Sequence, residues 1–264
     1  MKKLLLFLLL ILPLAGYGQF DEQFYQPVKE WKANNLPAYE EIWVTNGVDS
    51  VEAIWCKPER EPVAVVFYCH GNYGNISYND GIIRPLVEEG FAVLAWDYPG
   101  FGHSNGKPTH INIAEMGQRV WDELIGREDV KGRKIILFGF SIGAQSAAKL
   151  ARDNRDRVSG LVLDAGMKSF TDMALVFSPE EAHPMIRQYV VSPYSSIEDV
   201  TYLDGMPKLI LHSQEDKIAP FSHSEAVYEN AADPKTFREY PGGHIGGLIA
   251  EPEEVLLLFR RLVE

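Results

Sequence analysis

The sequence predicts an α/β fold, in which a mostly parallel twisted sheet carries helices on both faces and is entered by an antiparallel hairpin. Apolar runs of strand length alternate with amphipathic stretches of helix length along most of the 264 residues, which is typical of repeated strand–helix–strand units. One of these runs, Val63–Cys69, is apolar throughout, as expected for a strand covered on both faces. A hairpin signal, Asn46-Gly47, precedes the series.

Each element is predicted from the length and periodicity of its run, and Gly90 ends the first helix. The predicted strands are Tyr39–Thr45, Ser50–Lys57, Val63–Cys69, Phe91–Trp96, Lys134–Phe138, Gly160–Leu163, Lys208–His212 and Thr236–Tyr240. The predicted helices are Ile82–Glu89, Ile111–Ile125, Ile142–Asp153, Phe221–Ala231 and Pro252–Val263. We expect one domain over residues 19–264, with a short cap of one or two helices inserted after the sixth strand, at about 165–206.

Composition and charge exclude several classes of protein. Hydrophobic residues make up 46% of the chain and charged residues 23%, which is ordinary for a globular protein and excludes a wholly disordered chain. The 37 acidic residues outnumber the 25 basic ones, and no Lys/Arg cluster offers a face for phosphates, so we expect no nucleic-acid partner. Phosphate-loop and metal-ligand motifs are missing from the sequence, so we expect no cofactor and no metal.

The first 18 residues have the pattern of a secretory signal peptide. Lys2 and Lys3 precede the apolar run Leu4–Leu12, and small residues precede an expected cleavage site before Gln19. The apolar run is about half of the roughly 20 residues that span a bilayer. We therefore expect a secreted or periplasmic protein that keeps no stable membrane anchor after cleavage.

Export would permit a disulfide, and the chain has two cysteines, Cys56 and Cys69. Both lie in predicted strands. Two buried free thiols are favoured over a bridge.

The most specific motif is Gly139-Phe140-Ser141-Ile142-Gly143, a G-x-S-x-G sequence between a predicted strand and a predicted helix. Such a sharp turn lifts the serine hydroxyl above the sheet, and the flanking glycines leave it accessible. The positive end of the following helix favours developing negative charge. Ser141 is the candidate nucleophile.

A serine hydroxyl needs a base, and the base needs an orienting acid. His244, flanked by glycines, follows the last predicted strand, and Asp216 follows the strand before it. His244 is the candidate base and Asp216 the preferred acid, and Asp164, directly after the sixth strand, is the rival for the acid. The remaining polar candidates are interpreted as structural or exposed, or at most in contact with substrate; they are His183, His212, Glu215 and His223.

An oxyanion formed at the serine needs preformed N–H donors. We expect them from the backbone of Ile142 and of Asn72, the residue after His70-Gly71 in the first strand-to-helix loop. His70 is interpreted as a brace of this loop. The glycine-rich segment Asp97–Ser104 is interpreted as a turn that shapes the pocket wall.

These motifs resemble the α/β-hydrolase-fold serine hydrolases over nearly all of 63–264, and within them the branch of depalmitoylases, lysophospholipases and their bacterial relatives. Two departures are visible: Pro99 stands where many relatives have Arg, and Ile142-Gly143-Ala144 replaces the more usual Leu-Gly-Gly. Neither removes a group expected in catalysis, although the first alters a loop that bears on substrate preference.

The motifs therefore predict a serine hydrolase that cleaves carboxylic esters or thioesters. An apolar cap suits a small-molecule or lipid-like acyl substrate. A peptidase or an acyltransferase would use the same three side chains, and both remain alternatives. A non-catalytic binding protein on the same fold is disfavoured, because such a protein would usually have lost one of the three.

Overall fold

An eight-stranded sheet forms the centre of the molecule in the computed structural model, which describes residues 20–32 and 34–264. The predicted signal peptide lies outside the described residues. In chain order the strands are β1 Tyr39–Thr45, β2 Ser50–Cys56, β3 Val65–Cys69, β4 Ala92–Trp96, β5 Ile135–Phe140, β6 Gly160–Asp164, β7 Lys208–His212 and β8 Lys235–Glu239.

The strands lie in the order β1-β2-β4-β3-β5-β6-β7-β8. The second strand is antiparallel to both of its neighbours, β1 and β4, and all the other pairs are parallel. The predicted parallel sheet with an antiparallel entry is therefore confirmed. Since β3 and β5 are neighbours, and β7 and β8 are neighbours, the loops that follow these strands meet at one edge of the sheet.

Helices cover both faces of the sheet. They are α1 Asp80–Glu89, α2 His110–Gly126, α3 Gly143–Asp153, α4 Phe170–Val176, α5 His183–Tyr189, α6 Ser196–Asp199, α7 Phe221–Asn230, α8 Gly247–Ala250 and α9 Pro252–Arg261. The buried residues of α1, α8 and α9 belong to one core and those of α2, α3 and α4 to the other, so the sheet separates two hydrophobic layers.

The predicted strand Lys134–Phe138 ends too early. Gly139 and Phe140 continue β5 and pair with Leu163 and Asp164 of β6. A glycine usually weakens a strand, but here pairing with β6 continues the strand past Gly139. The turn therefore begins at Ser141.

The cap between β6 and β7 holds more helix than expected. Instead of one or two helices it contains α4, α5 and the single-turn α6, together with two short 3₁₀ turns. Pro179 and Pro193 lie between these pieces and cannot continue a helix from the preceding turn. Several apolar cap residues are buried against the body, namely Met167, Phe170, Met173, Ile186 and Tyr194.

The two cysteines are free and buried. Cys56 belongs to the core under α1, and Cys69 belongs to the core on the opposite face of the sheet. The sheet lies between their side chains, so they cannot pair. Burial raises the pKa of both thiols to about 12, which keeps them protonated and unreactive.

Among the helices of the described residues, none is long and apolar enough to cross a membrane.

Candidate active site

The candidate nucleophile elbow, Gly139–Gly143, joins β5 to α3 in a turn that requires its glycines. Ser141 has a φ of +52°, in the left-handed region that non-glycine residues rarely adopt. A Cβ on Gly139 would lie 2.3 Å from the carbonyl oxygen of Gly143, and one on Gly143 would lie 2.2 Å from that of Cys69. The backbone therefore packs too closely for side chains at either position, and Ser141 carries the one side chain at the tip of the turn.

Three predicted site residues form one line of hydrogen bonds. His244 Nε2 lies 3.0 Å from Ser141 Oγ, and His244 Nδ1 lies 2.6 Å from Asp216 Oδ2. The loops after β5, β7 and β8 bring these side chains together from positions 103 and 28 residues apart along the chain. The Asp216 side chain is fully buried, while 14% of the His244 side chain remains exposed.

Four donors surround the carboxylate of Asp216. Its Oδ1 accepts the backbone N–H groups of Ile218, at 2.7 Å, and Ala219, at 3.0 Å. Its Oδ2 accepts from His244 and, at 3.0 Å, from Nε2 of His212. Burial alone would raise the pKa of Asp216, but the hydrogen bonds from the two histidines outweigh it and hold the pKa well below the ordinary value.

The ionised Asp216 sets the tautomer of His244. A carboxylate only accepts hydrogen bonds, so Nδ1 of His244 carries the proton and Nε2 presents its lone pair to the Ser141 hydroxyl. This arrangement can take the proton of Ser141 and can stabilise the imidazolium that results.

Sequence reasoning missed His212. Its side chain is fully buried and spans from Asp216 to Ser224 Oγ, which lies 2.6 Å from Nδ1. The position of His212 could have indicated this contact, since the residue ends β7 and lies four residues before Asp216. The sequence predicts a structural or exposed histidine; the structure shows a buried one whose structural role, the bond to Asp216, the sequence did not indicate.

Asp164, the rival acid, makes a different contact. Its Oδ1 accepts a hydrogen bond from Tyr240 Oη at 2.7 Å, and Tyr240 Oη accepts the backbone N–H of Gly246 at 3.2 Å. Burial raises the pKa of Asp164 to about 6, although the bond from Tyr240 opposes the rise. The carboxyl group braces the loop that carries His244 and does not bond His244 itself.

The two expected oxyanion donors lie beside the elbow. Gly143 packs against the carbonyl oxygens of Cys69 and His70, which places the loop that contains Asn72 next to the beginning of α3. Among the described residues, the backbone N–H groups of Asn72 and Ile142 have no hydrogen-bond acceptor. In the part of the chain that the structure describes, neither N–H group is therefore occupied by a backbone acceptor, as an oxyanion donor requires.

His70 is a brace, as its sequence position suggests. It is buried, and its Nδ1 donates to the carbonyl oxygen of Gly71 at 2.7 Å. Gly71 C=O and Asn72 N–H belong to the same trans peptide and point in opposite directions. The bond from His70 therefore fixes the direction of the Asn72 N–H.

The other polar candidates lie outside the line of three. Glu215 accepts the backbone N–H of Gly242 at 3.2 Å. His223 is buried, and burial lowers its pKa to about 4. His183 Nε2 lies 3.4 Å from the carbonyl oxygen of Ser178 within the cap. Within the described ranges, the acidic, histidine and cysteine side chains form no group of three suited to a metal ion.

Comparisons with known proteins match this architecture. Residues 64–192 match a family described as the alpha/beta hydrolase fold. The chain is 30% identical over 223 residues to the alpha/beta hydrolase domain-containing protein WAV2 of Arabidopsis thaliana, covering 78% of this chain and 71% of that protein. It is 29% identical over 187 residues to YfhR of Escherichia coli, covering 70% of this chain but 64% of that relative.

A solved structure has the same fold. An esterase of Pyrococcus furiosus superposes with a TM-score of 0.71 at 17% identity, covering 94% of this chain and 98% of that one.

Proposed function

Because this chain belongs to the α/β-hydrolase fold family, we propose that it is a serine hydrolase that cleaves carboxylic esters or thioesters. The observation that carries the proposal is the continuous line from Ser141 Oγ through the His244 ring to the buried carboxylate of Asp216. Each member has the partner that its role requires, and the nucleophile lies in the strained turn that exposes its hydroxyl.

In the proposed reaction, Ser141 Oγ attacks the substrate carbonyl carbon while His244 Nε2 takes its proton. The N–H groups of Asn72 and Ile142 hold the oxyanion of the tetrahedral intermediate. Collapse breaks the bond to the leaving alcohol or thiol, which takes the proton from His244, and an acyl group remains on Ser141. Water then attacks the acyl group by the same steps, releases the carboxylic acid and restores the serine.

The substrate we propose is a small-molecule or lipid-like acyl compound. Apolar side chains are exposed on the loops that carry the site, Tyr73 directly after Asn72 and Ile218 two residues after Asp216. Val176 and Phe177 are exposed on the cap. Exposed apolar groups on these loops and on the cap favour an apolar acyl chain. A phosphate-rich ligand such as a nucleic acid would instead be repelled by a protein with a net charge of −12.

A fluorophosphonate probe tests the nucleophile, because it phosphonylates an activated serine and releases fluoride. We expect the wild-type chain to be labelled and Ser141→Ala to remain unlabelled. Equal labelling of both chains would show that another residue is the nucleophile. A wild-type chain that is folded but not labelled would favour a non-catalytic binding protein on this fold.

The substrate class is tested with nitrophenyl esters of graded acyl length beside aminoacyl amides. We expect the esters to be turned over faster, with short to medium acyl chains preferred because the cap is short. Faster turnover of aminoacyl amides than of every ester would identify a peptidase. Transfer of the acyl group to an added alcohol in preference to water would identify an acyltransferase.

We also propose that the protein is exported, on the basis of the pattern in residues 1–18. Expression with the native N-terminus in a bacterial host should give a secreted or periplasmic chain whose mass corresponds to cleavage before Gln19. An uncleaved chain retained in the cytoplasm would contradict export without affecting the proposed chemistry.

A further inference from the structure

A segment near the N-terminus lies across the loops that form the candidate site. This strap, Asp21–Lys32, precedes the part of the chain that matches the family, which begins at residue 64. In the middle of the strap, Gln26–Pro27 pairs in parallel with Tyr73–Gly74, directly after Asn72. The strap therefore borders the peptide that we assign to the oxyanion.

The strap bonds the backbone of Asn72 itself. The N–H of Gln26 donates to the carbonyl oxygen of Asn72 at 2.7 Å, and the N–H of Val28 donates to that of Gly74 at 3.0 Å. Because His70 holds the peptide before Asn72 through Gly71, the peptides on both sides of Asn72 are fixed. The His70 bond holds the peptide that carries the Asn72 N–H, and the Gln26 bond holds the peptide that follows it.

Buried side chains hold the strap in place. Asn75 is fully buried, and its Nδ2 donates to the carbonyl oxygens of Val28 and Glu30, both at 2.9 Å. At the other end of the strap, Tyr25 Oη lies 2.8 Å from Nδ1 of His110 at the start of α2, and Asp21 accepts the backbone N–H of His110 at 2.9 Å.

The strap also reaches the second loop at this edge of the sheet. The N–H of Gly102 donates to the carbonyl oxygen of Val28 at 3.1 Å, and the ring of Trp31 stacks on that of His103 with centroids 4.9 Å apart. The strap thus ties the loops after β3 and β4 to each other. Among the described residues, Gln26 is the part of the strap that contacts the backbone of Asn72.

We propose that the strap positions the loop that contains Asn72, and that the backbone N–H of Gln26 aims the Asn72 N–H at the oxyanion. This inference rests on the proposed function and extends it to a segment outside the matched family region. A donor that is misplaced by about 1 Å can cost a hundredfold in rate, and loss of one oxyanion donor costs about 10² to 10³ in kcat. A strap that positions a donor should therefore act on kcat.

Gln26→Pro tests the proposal, because proline removes the N–H and leaves the rest of the strap. The preceding residue, Tyr25, has a ψ of 138°, which is the extended backbone that a following proline requires. Gln26→Ala is the matched variant, since it keeps the N–H and removes only an exposed side chain. Relative to Gln26→Ala, we expect Gln26→Pro to lose roughly tenfold to a hundredfold in kcat with KM within about threefold.

An aryl trifluoromethyl ketone supplies a readout that a structural role would not move. Its serine adduct carries an oxyanion, so its affinity should fall by about the same factor as kcat/KM. Tyr25→Phe is the comparison for simple loosening, because it removes an anchor of the strap without touching the Gln26 N–H. We expect Tyr25→Phe to lower Tm more than it lowers kcat.

Should Gln26→Pro fail to fold, Asn75→Asp answers the same question, because Asn75 holds the strap directly against the loop that contains Asn72, whereas Tyr25 anchors the strap to the start of α2. The change removes the Nδ2 group, whose two N–H bonds hold the strap, and keeps an oxygen that accepts the backbone N–H of Ser77. We expect kcat and the affinity for the ketone to fall together. A folded Gln26→Pro or Asn75→Asp with unchanged kcat and ketone affinity would overturn the strap proposal alone. A wild-type chain that neither reacts with fluorophosphonate nor hydrolyses esters would overturn the proposed function and, with it, this role of the strap.

Discussion

Two buried aspartates lie at the carboxyl edge of the sheet, and their surroundings shift their pKa values in opposite directions. Four donors hold Asp216 as a carboxylate, two of them imidazole N–H groups. Asp164 accepts from Tyr240, and its Oδ2 has no partner among the described residues. The pKa of Asp216 is therefore lowered, whereas burial raises that of Asp164. Only the first is prepared to orient a histidine as a permanent anion.

Asp216→Asn should therefore abolish most of the activity, whereas Asp164→Asn should not. An amide at position 216 can donate to His244 Nδ1, which favours the tautomer whose Nε2 cannot accept the serine proton. The corresponding change in a serine protease costs about 10⁴ in kcat, so we expect a loss of roughly a hundredfold or more. Asp164→Asn should cost far less, because Asn can still accept the hydrogen bond from Tyr240. The measurement is kcat on a nitrophenyl ester, with circular dichroism to show that both variants are folded.

The reverse ranking would assign the acid to β6. Comparable moderate losses in the two variants would mean that either carboxylate serves His244, which the 2.6 Å bond to Asp216 argues against.

At the scale of the elements, the contact between α3 and the end of β3 sets the spacing of the site. The helix begins at Gly143, directly against the carbonyl oxygens of Cys69 and His70. This contact places the loop that contains Asn72 next to the turn that contains Ser141 and Ile142. A wider separation between the helix and the strand would separate the two expected oxyanion donors.

Gly143→Ala should therefore damage both stability and reactivity. Its Cβ would lie 2.2 Å from backbone oxygen, so α3 or β3 must shift, and overpacking of this kind costs about 1–3 kcal/mol or more. We expect a lower free energy of unfolding in urea and slower fluorophosphonate labelling of the folded variant. Gly81→Ala on α1 is the matched control, because a Cβ there meets no atom within 4 Å; it should stay within about 1 kcal/mol of the wild type. Equal stability of the two variants would contradict the close packing.

The elements themselves were predictable from sequence, because their signals are local. Periodicity located all eight strands of the sheet and the five long helices to within two residues at each end. The order of the motifs along the chain placed Ser141, Asp216 and His244 on loops after strands, and the carboxyl ends of parallel strands lie at the same edge of the sheet. The short helices of the cap lack such periodicity, and their number was underestimated.

Contacts between distant segments were not predictable in the same way. Gln26 meets Asn72 through backbone groups alone, so no side-chain pattern marks the contact. His212 holds Asp216 only because the loop after β7 folds back over the end of its own strand. Both contacts form only in the tertiary fold, whereas the G-x-S-x-G motif describes a single local turn and is visible in the sequence.

At the scale of the whole molecule, the candidate site depends on segments from most of the chain. The strap precedes β1, the loop that contains Asn72 follows β3, Ser141 follows β5, and Asp216 and His244 follow the last two strands. Unfolding of the sheet would therefore separate every pair of groups in the site. For this reason we expect activity and global folding to be lost together. A titration that changes the free energy of unfolding also changes the fraction of molecules in which the site is assembled.

Asp164 provides such a titration. Burial raises its pKa to about 6 from an ordinary value near 3.8, so the folded chain binds this proton more tightly than the unfolded chain. The stability that this group contributes is fully present below about pH 4 and is lost as the pH rises through about 6. A shift of this size corresponds to about 3 kcal/mol. Asp216 contributes in the opposite sense and at lower pH, because its lowered pKa adds stability that is lost only as the pH falls below about 4.

The difference in free energy of unfolding between the wild type and Asp164→Asn should therefore depend on pH. Asn cannot ionise, so the wild type should lose about 2–3 kcal/mol relative to the variant between pH 4 and pH 8, measured by urea denaturation at each pH. Other titrating groups are common to both chains and cancel in the difference. Tyr240→Phe removes a hydrogen bond that lowers the pKa of Asp164. The pH at which this variant loses the stability contributed by Asp164 should therefore be higher than in the wild type. A difference that stays constant across this range would show that Asp164 titrates in the folded chain as it does in the unfolded chain, and that burial does not raise its pKa.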